Sequence, residues 1–220
     1  MREAIFYFDF ISNNAYLAWS QLEALGRRYD LRIKPVPVLF AGLLKANNNV
    51  GPAEIAAKRH WMLKNILRKA NLLGVPMRPP LHHPFNPLPA LRACTAPMSD
   101  AQRWDLIDKI FKAVWVQRRH VSDLEELSKI IDSLQGGEVI DSQWSTSSLA
   151  AEALKRNTQE AVDLGAFGIP TIIIEDELFF GYDDFEFIEL YLQDKDPINS
   201  RMVADWSSDM IAPSAVRKRE

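Results

Sequence analysis

The run Ala4 to Phe10, AIFYFDF, gives way without a linker to Ser12, Asn13 and Asn14, and this junction limits the chain more than any other feature. The run has the length and aromatic content of a buried strand. Ser and Asn are favoured helix N-caps, and Tyr16, Leu17, Trp19, Leu22 and Leu25 recur at helical spacing up to Gly26, with Arg27 and Arg28 suited to a helix C-terminus. Leu31 to Phe40 then reads as a second strand. Leu31 and Ile33 alternate with Arg32 and Lys34, and Pro35 and Pro37 suggest an edge position. Strand, immediate helix and strand predict the start of a βαβ unit.

From Pro52 to Gly137 the pattern is mainly helical. Pro52 fits the first turn before a helix carrying Ile55, Met62, Ile66 and Leu73, with Gly74 and Pro76 as its stop. A proline-dense link, RPPLHHPFNPLP, follows. Ser99 to Gln102 and Ser122 to Glu125 both have capping-box spacing ahead of apolar helical residues, and Gly136-Gly137 closes the block. Ser145, Ser147 and Ser148 open a further helix ending at Gly165. Thr171 to Ile174, a tight turn at Glu175 to Glu177, and Leu178 to Phe180 predict a β-hairpin, and Phe185 to Leu192 a last helix packing Phe187, Ile188 and Tyr191. The tail from Asp194 is polar and weakly periodic, the pattern of a surface or poorly ordered segment.

In order this is β-α-β, a helical block, then α-β-β-α, the element order of an α/β thioredoxin-like fold with an all-helical domain inserted. The expected division is 1–45 with 140–193 for the thioredoxin-like part, 46–139 for the insertion and 194–220 for the tail.

Composition restricts the function. The 220 residues are 47% hydrophobic and carry 26 Lys+Arg against 29 Asp+Glu, a net charge of −3, which gives no electrostatic case for a nucleic-acid partner. A chain of this length can bury a sizeable core without staples. Cys94 is alone, which excludes an intrachain disulfide, a Cys-x-x-Cys pair and a multi-thiolate metal site. The apolar N-terminal run is short and interrupted by Asp9, unlike a signal peptide, and no stretch reaches the ~18 apolar residues of a membrane span. A cytosolic protein with no membrane partner is expected.

Ser12 would sit where a strand meets a helix N-terminus. Unpaired backbone N–H groups and the positive end of the helix dipole favour an anion there, such as a thiolate. Thioredoxin-like redox enzymes carry their attacking cysteine at this place. With no sulfur in Ser12-Asn13-Asn14-Ala15, this chain cannot exchange disulfides there, and a serine taken alone reads as a helix cap. At Ile169-Pro170-Thr171 an X-Pro bond opens a strand, and a cis peptide would turn the backbone of Ile169 outward to pair with an extended peptide. His82-His83 do not make a metal site, since adjacent histidines in an extended link point apart. Trp61, Trp104 and Trp115 read as core or cleft wall, Cys94 as a buried small residue, and the basic C-terminal run as solvated.

The stretches FYFDFISNNAYLAW, PVLFAGLLK, GPAEIAAKR, FNPLPALR and GAFGIPTIIIEDELFFGYDDFEFI resemble the 2-hydroxychromene-2-carboxylate isomerases. That family is similar to the kappa-class glutathione transferases and to DsbA-like thioredoxin-fold proteins. The resemblance runs from about Ala4 to Leu192.

It implies a glutathione cofactor held by the thioredoxin-like part, a substrate cleft closed by the helical part, and a homodimer. Ser12 matches the catalytic serine whose hydroxyl supports the glutathione sulfur. Ile169, before the cis Pro170, matches the backbone contact to the cysteinyl portion, and Gly181, Tyr182, Asp183 and Asp184 the segment that holds the γ-glutamyl end. Asn49 and Lys58 fall at polar contacts near the sulfur and the glycyl carboxylate. Asn86 faces the substrate cleft, and Lys45, with Lys58, is a nominee for the substrate carboxylate. Related sequences read Ser-Pro-Tyr where this chain has Ser12-Asn13-Asn14, and often Arg at Asp184.

The reaction implied is addition of a thiolate to the conjugated system of a ring-opened chromene carboxylate, rotation about the resulting single bond, and expulsion to give a trans-benzylidenepyruvate. The substrate is then a small aromatic or unsaturated keto acid. Two alternatives stand beside it: a kappa-like glutathione transferase, and a noncatalytic thioredoxin-like module binding a thiol or peptide, for which the polar Asn13-Asn14 speaks.

Overall fold

The computed structural model describes residues 2–134 and 142–209, so Gly136-Gly137 lies outside the described residues. The chain forms two compact units, Met1–Asp183 and Asp184–Glu220.

In the first unit, β1 (Arg2–Phe8) is followed by α1 (Asn13–Tyr29), β2 (Leu31–Pro37) and α2 (Phe40–Ala46). After a 3-10 turn at Pro52–Glu54 come α3 (Ala56–Leu73), α4 (Leu88–Ala93), α5 (Asp100–Trp115) and α6 (Leu124–Asp132). A second 3-10 turn at Ser142–Thr146 leads to α7 (Ser148–Asp163), and β3 (Thr171–Ile174) and β4 (Glu177–Phe180) form the hairpin. The second unit contains α8 (Phe185–Leu192) and α9 (Ser200–Asp209).

The sheet order is β2-β1-β3-β4, with β1 parallel to β2 and antiparallel to β3, and β3 antiparallel to β4. This is the thioredoxin arrangement. β2 is an edge strand, which is why Pro35 and Pro37 are tolerated opposite Phe6 and Phe8.

Period-2 alternation gives β1 two buried faces. Phe6 and Phe8 meet Trp19 of α1, and Phe8 also meets Phe111 of α5; Phe10, just past the strand, crosses Phe111 edge-on at 4.8 Å. On the other face Tyr7 joins Val38, Leu43, Ala161, Ala166, Ile169 and Ile173.

Several elements differ from expectation for local reasons. α1 runs through Gly26 to Tyr29 and ends at Asp30 in the left-handed conformation. Gly26 is a close-approach residue, not a stop: a Cβ there would stand 3.0 Å from the Leu31 carbonyl and 3.3 Å from the Ile33 side chain. The second strand ends at Pro37, and Phe40 begins α2, a helix that the apolar sequence PVLFAGLLK conceals. The proline-dense link ends in a helix, Leu88–Ala93, that its last two residues begin. The tail includes α9, and in α8 Phe187, expected to pack, is exposed while Phe185 and Ile188 are buried. Trp115 is buried and Trp104 lies tilted against Trp19 with ring centroids 4.2 Å apart, whereas Trp61 is 62% exposed and is not core.

The Ser99–Gln102 capping box forms as expected. At α6 the cap is Asp123, whose carboxylate accepts from Glu125 N–H at 2.9 Å, while the Ser122 hydroxyl donates instead to the Asn86 carbonyl at 2.7 Å. Asp123→Ala is therefore expected to cost about 1 kcal/mol of stability, read as a lower urea midpoint; an unchanged midpoint would show that α6 needs no cap.

Candidate functional site

Ser12 is the N-cap of α1, in extended conformation at φ −90° and ψ 118°. Its Oγ accepts the Ala15 N–H at 3.1 Å. That bond uses a lone pair and leaves the hydroxyl proton free to donate. The first-turn N–H groups of Asn13 and Asn14 have no intrahelical acceptor, as at any helix start. Oδ1 of Asn14 is buried and meets no donor among the described residues.

The loop between β1 and α1 is tied at every carbonyl. Ser12 N–H donates to Asp9 O at 3.1 Å, the buried Trp115 Nε1–H to Phe10 O at 2.9 Å, and His83 Nε2 lies 2.9 Å from Ile11 O. A carbonyl only accepts, so His83 Nε2 carries the proton in that contact. The acceptors of the loop are thus occupied, two of them by side chains from the helical block. His82 turns elsewhere, to the His120 ring at 5.1 Å.

Asp9 is the least expected part of the site. Only 1% exposed, its carboxylate accepts Ile11 N–H at 3.1 Å and, through its other oxygen, Phe40 N–H at 3.0 Å at the start of α2. Burial pushes its pKa up from 3.8 to about 7, against the lowering effect of those two N–H groups. The sequence signal was available: an acid within an otherwise apolar strand-like run.

The second loop lies beside the first. The Ile169–Pro170 peptide is cis. Thr171 pairs with Tyr7, and Ile169 and Ile11 pack in the same apolar cluster, so the residues before Ser12 and before Pro170 share one floor. The N–H and C=O of Ile169 have no hydrogen-bond partner among the described residues. Gly181, at φ +75°, donates its N–H to Pro170 O at 2.8 Å, which closes the hairpin end against this loop.

A model of the DsbA-like thioredoxin domain matches residues 4–193, nearly the whole chain. The chain belongs to the DsbA-like thioredoxin-domain family. Among curated relatives, the 2-hydroxychromene-2-carboxylate isomerase of Pseudomonas putida is 28% identical over 187 residues, covering 84% of this chain and 91% of that protein. Glutathione S-transferase kappa 1 of Rattus norvegicus is 24% identical over 205 residues, covering 86% and 90%. A solved 2-hydroxychromene-2-carboxylate isomerase superposes with a TM-score of 0.79 at 23% identity, covering 96% of this chain and 100% of that one.

In this DsbA-like domain the remaining candidate residues fall into two groups. Tyr182 packs with Leu17 of α1 and with Ile66 and Ala70 of α3, which draws the Gly181–Asp183 segment toward the Ser12 helix. Asp183 pairs at 2.6 Å with Lys69, whose side chain is 15% exposed. Asp184 precedes α8 and makes no side-chain cap there. Asn49, Lys45, Lys58 and Asn86 are exposed, and among the described residues no hydrogen bond or ion pair joins them to Ser12 or to the Ile169–Pro170 loop. Asn49 Oδ1 accepts Val50 N–H at 2.9 Å, and Asn86 Oδ1 accepts Leu88 N–H at 3.1 Å at the start of α4.

Cys94 takes no part. It is fully buried, and desolvation raises its pKa to about 12, outweighing the nearby Arg103. No helix among the described residues is long and apolar enough to cross a membrane, and no cluster of three potential metal ligands occurs among them.

Proposed function

We propose that this chain is a glutathione-dependent isomerase acting on a chromene carboxylate or related unsaturated keto acid. The observation that supports the reading is that Ile11 and Ile169 pack in one apolar cluster, Ser12 following the first with a free hydroxyl proton and the second offering an unpaired backbone edge. Bound glutathione would supply a thiol that adds to the conjugated substrate and leaves again once the bond has rotated.

The chain's own groups fit such a ligand. The unpaired N–H and C=O of Ile169 suit an extended cysteinyl residue, by the same hydrogen bonds that add a strand to a sheet edge. The Ser12 hydroxyl and the first-turn N–H groups of α1 stabilise a thiolate over a thiol, since each strengthens its hydrogen bond when the sulfur is charged. Asp183 and Lys69 present both signs of charge where an amino-acid end would dock. Lys45, Lys58, Asn49 and Asn86 remain nominees for the polar ends of ligand and substrate, Asp184 for the glutamyl end. A cytoplasmic homodimer belongs to the same reading, the compartment fitting a lone buried cysteine.

Calorimetry with glutathione tests the site: heat with saturation is expected, and no binding at millimolar concentration would sink the reading and favour the module without catalysis. Assaying free thiol during turnover separates the enzymes. A constant glutathione level is expected of an isomerase, and stoichiometric loss would make the chain a transferase, the activity named for its relatives of the kappa class.

A further inference from the structure

We propose that Asp9 is a positioning residue for the thiolate site: its carboxylate ties the loop ending at Ser12 to the start of α2 and thereby fixes the N–H groups that face the sulfur. The proposal rests on the reading of Ser12 as a thiolate site.

Three features of the geometry argue for this. Asp9 is buried and uses its two oxygens on two different segments, Ile11 N–H in its own loop and Phe40 N–H across the sheet end. An aspartate is needed for that. Asparagine of the same shape has one acceptor oxygen and a donor NH2, so it cannot accept both N–H groups.

The anchor at the far end is firm. α2 has no side-chain cap of its own, because its N-cap is Leu39, so Asp9 caps it from outside. The same corner is held by α7, through Leu39 N–H to Thr158 Oγ1 at 3.0 Å and Asn157 Nδ2 to Pro37 O at 3.1 Å. A loop tied to that corner cannot swing.

The loop's other polar groups then fall into place. The carbonyls of Asp9, Phe10 and Ile11 are bound by Ser12, Trp115 and His83 respectively, so no carbonyl of these residues is left to repel an anion. Without Asp9 the loop keeps its Trp115 and His83 hydrogen bonds to the helical block but loses its tie to α2, so the N–H groups at the start of α1 can shift away from the sulfur. No ion pair to Asp9 exists among the described residues, so its charge is held by the two N–H groups alone.

The test needs no glutathione. Ser12→Cys places a thiol at the N-cap, and its ionisation is read by thiolate absorbance near 240 nm and by the pH dependence of alkylation with iodoacetamide. Cys94 is silent in that range because it is buried and titrates at about 12. Removing the Asp9 charge would by itself lower the midpoint of the introduced thiol, so a rise reads the lost tether: adding Asp9→Asn is expected to raise that midpoint by about one unit, a roughly tenfold slower alkylation at neutral pH, with a native circular dichroism spectrum and cooperative melt, and a lowered midpoint overturns the proposal. Asp9→Ser is the second variant: its hydroxyl can still accept from Ile11 but is too short to hold Phe40, so it isolates the tether. It should shift the thiol in the same direction.

Adding Leu39→Ser restores a cap to α2 without restoring the tether, and the shift should persist. If that substitution abolishes the shift, Asp9 merely caps α2 and the proposal fails. An unchanged thiol midpoint in either folded Asp9 variant also overturns it, as does failure of both variants to fold. Absence of glutathione binding to the unmodified chain would sink the proposed function but leave this titration to decide on Asp9.

Discussion

Ser12→Ala is expected to lower turnover by about 10²- to 10³-fold while the fold persists, the size found when one preorganised donor is removed from a developing negative charge. Two roles meet in this side chain. As N-cap, Ser12 accepts the Ala15 N–H, and its loss costs ~1 kcal/mol of stability; as donor, its proton is free for a sulfur. Ser12→Gly separates them, since glycine is a tolerated N-cap that costs only a few tenths of a kcal/mol. The two variants should lose turnover alike and differ in melting temperature. Wild-type turnover in Ser12→Ala would remove the hydroxyl from the chemistry, and recovery in Ser12→Gly would reduce its role to capping.

The second large effect is a pH dependence of stability that belongs to Asp9. Its pKa is raised from 3.8 to about 7 in the folded chain, so between these values the folded state holds a proton that the unfolded state has lost. Stability from this group is complete below about pH 3.8 and is lost as pH rises through about 7, a total on the order of 4 kcal/mol. Urea unfolding at pH 5 and pH 8 samples roughly 2–3 kcal/mol of it. The wild type should lose that much relative to Asp9→Asn between the two pH values, the difference cancelling contributions from other groups. A flat difference would mean that the carboxylate titrates as an ordinary exposed acid. The same sign explains why Asp9→Asn is expected to fold at alkaline pH: it removes a buried charge as well as a hydrogen bond.

How much of this could be read from the residues depends on the range of the interaction that fixes each one. The β1–α1 junction, the Ser99 and Ser147 caps and the β3–β4 hairpin are legible because capping, turn chemistry and side-chain periodicity are settled within a few neighbours, whereas the cis Ile169–Pro170 bond follows from its place in the inferred fold. The bounds of α8 were read to the residue. α2 was missed because PVLFAGLLK is apolar throughout and suits a strand as well as a helix, and its cap comes from Asp9 on another element. Spacing points to Ser122 for the α6 cap and does not say which of two adjacent polar residues faces the helix; the Asn86 carbonyl draws Ser122 away and leaves Asp123 to cap.

The site divides in the same way. Ser12 and the Ile169–Pro170 pair stand at element boundaries, so their places were visible in the order of strands and helices. Asp9, His83, Trp115 and Lys69 were not assigned to it, because each enters through a partner distant in sequence: Phe40, Ile11, Phe10 and Asp183.

Residue type and local spacing were enough for the four strands, for α1, α3, α5, α6, α7 and α8, for the absence of a dithiol, and for a hydroxyl in place of sulfur at the first helix start. The floor under the Ser12 and Pro170 loops, and the buried carboxylate and two aromatic N–H donors that hold the first of them, arise from long-range packing. Hydrogen bonds and apolar contacts between remote segments exist only once the sheet has brought its strand ends together.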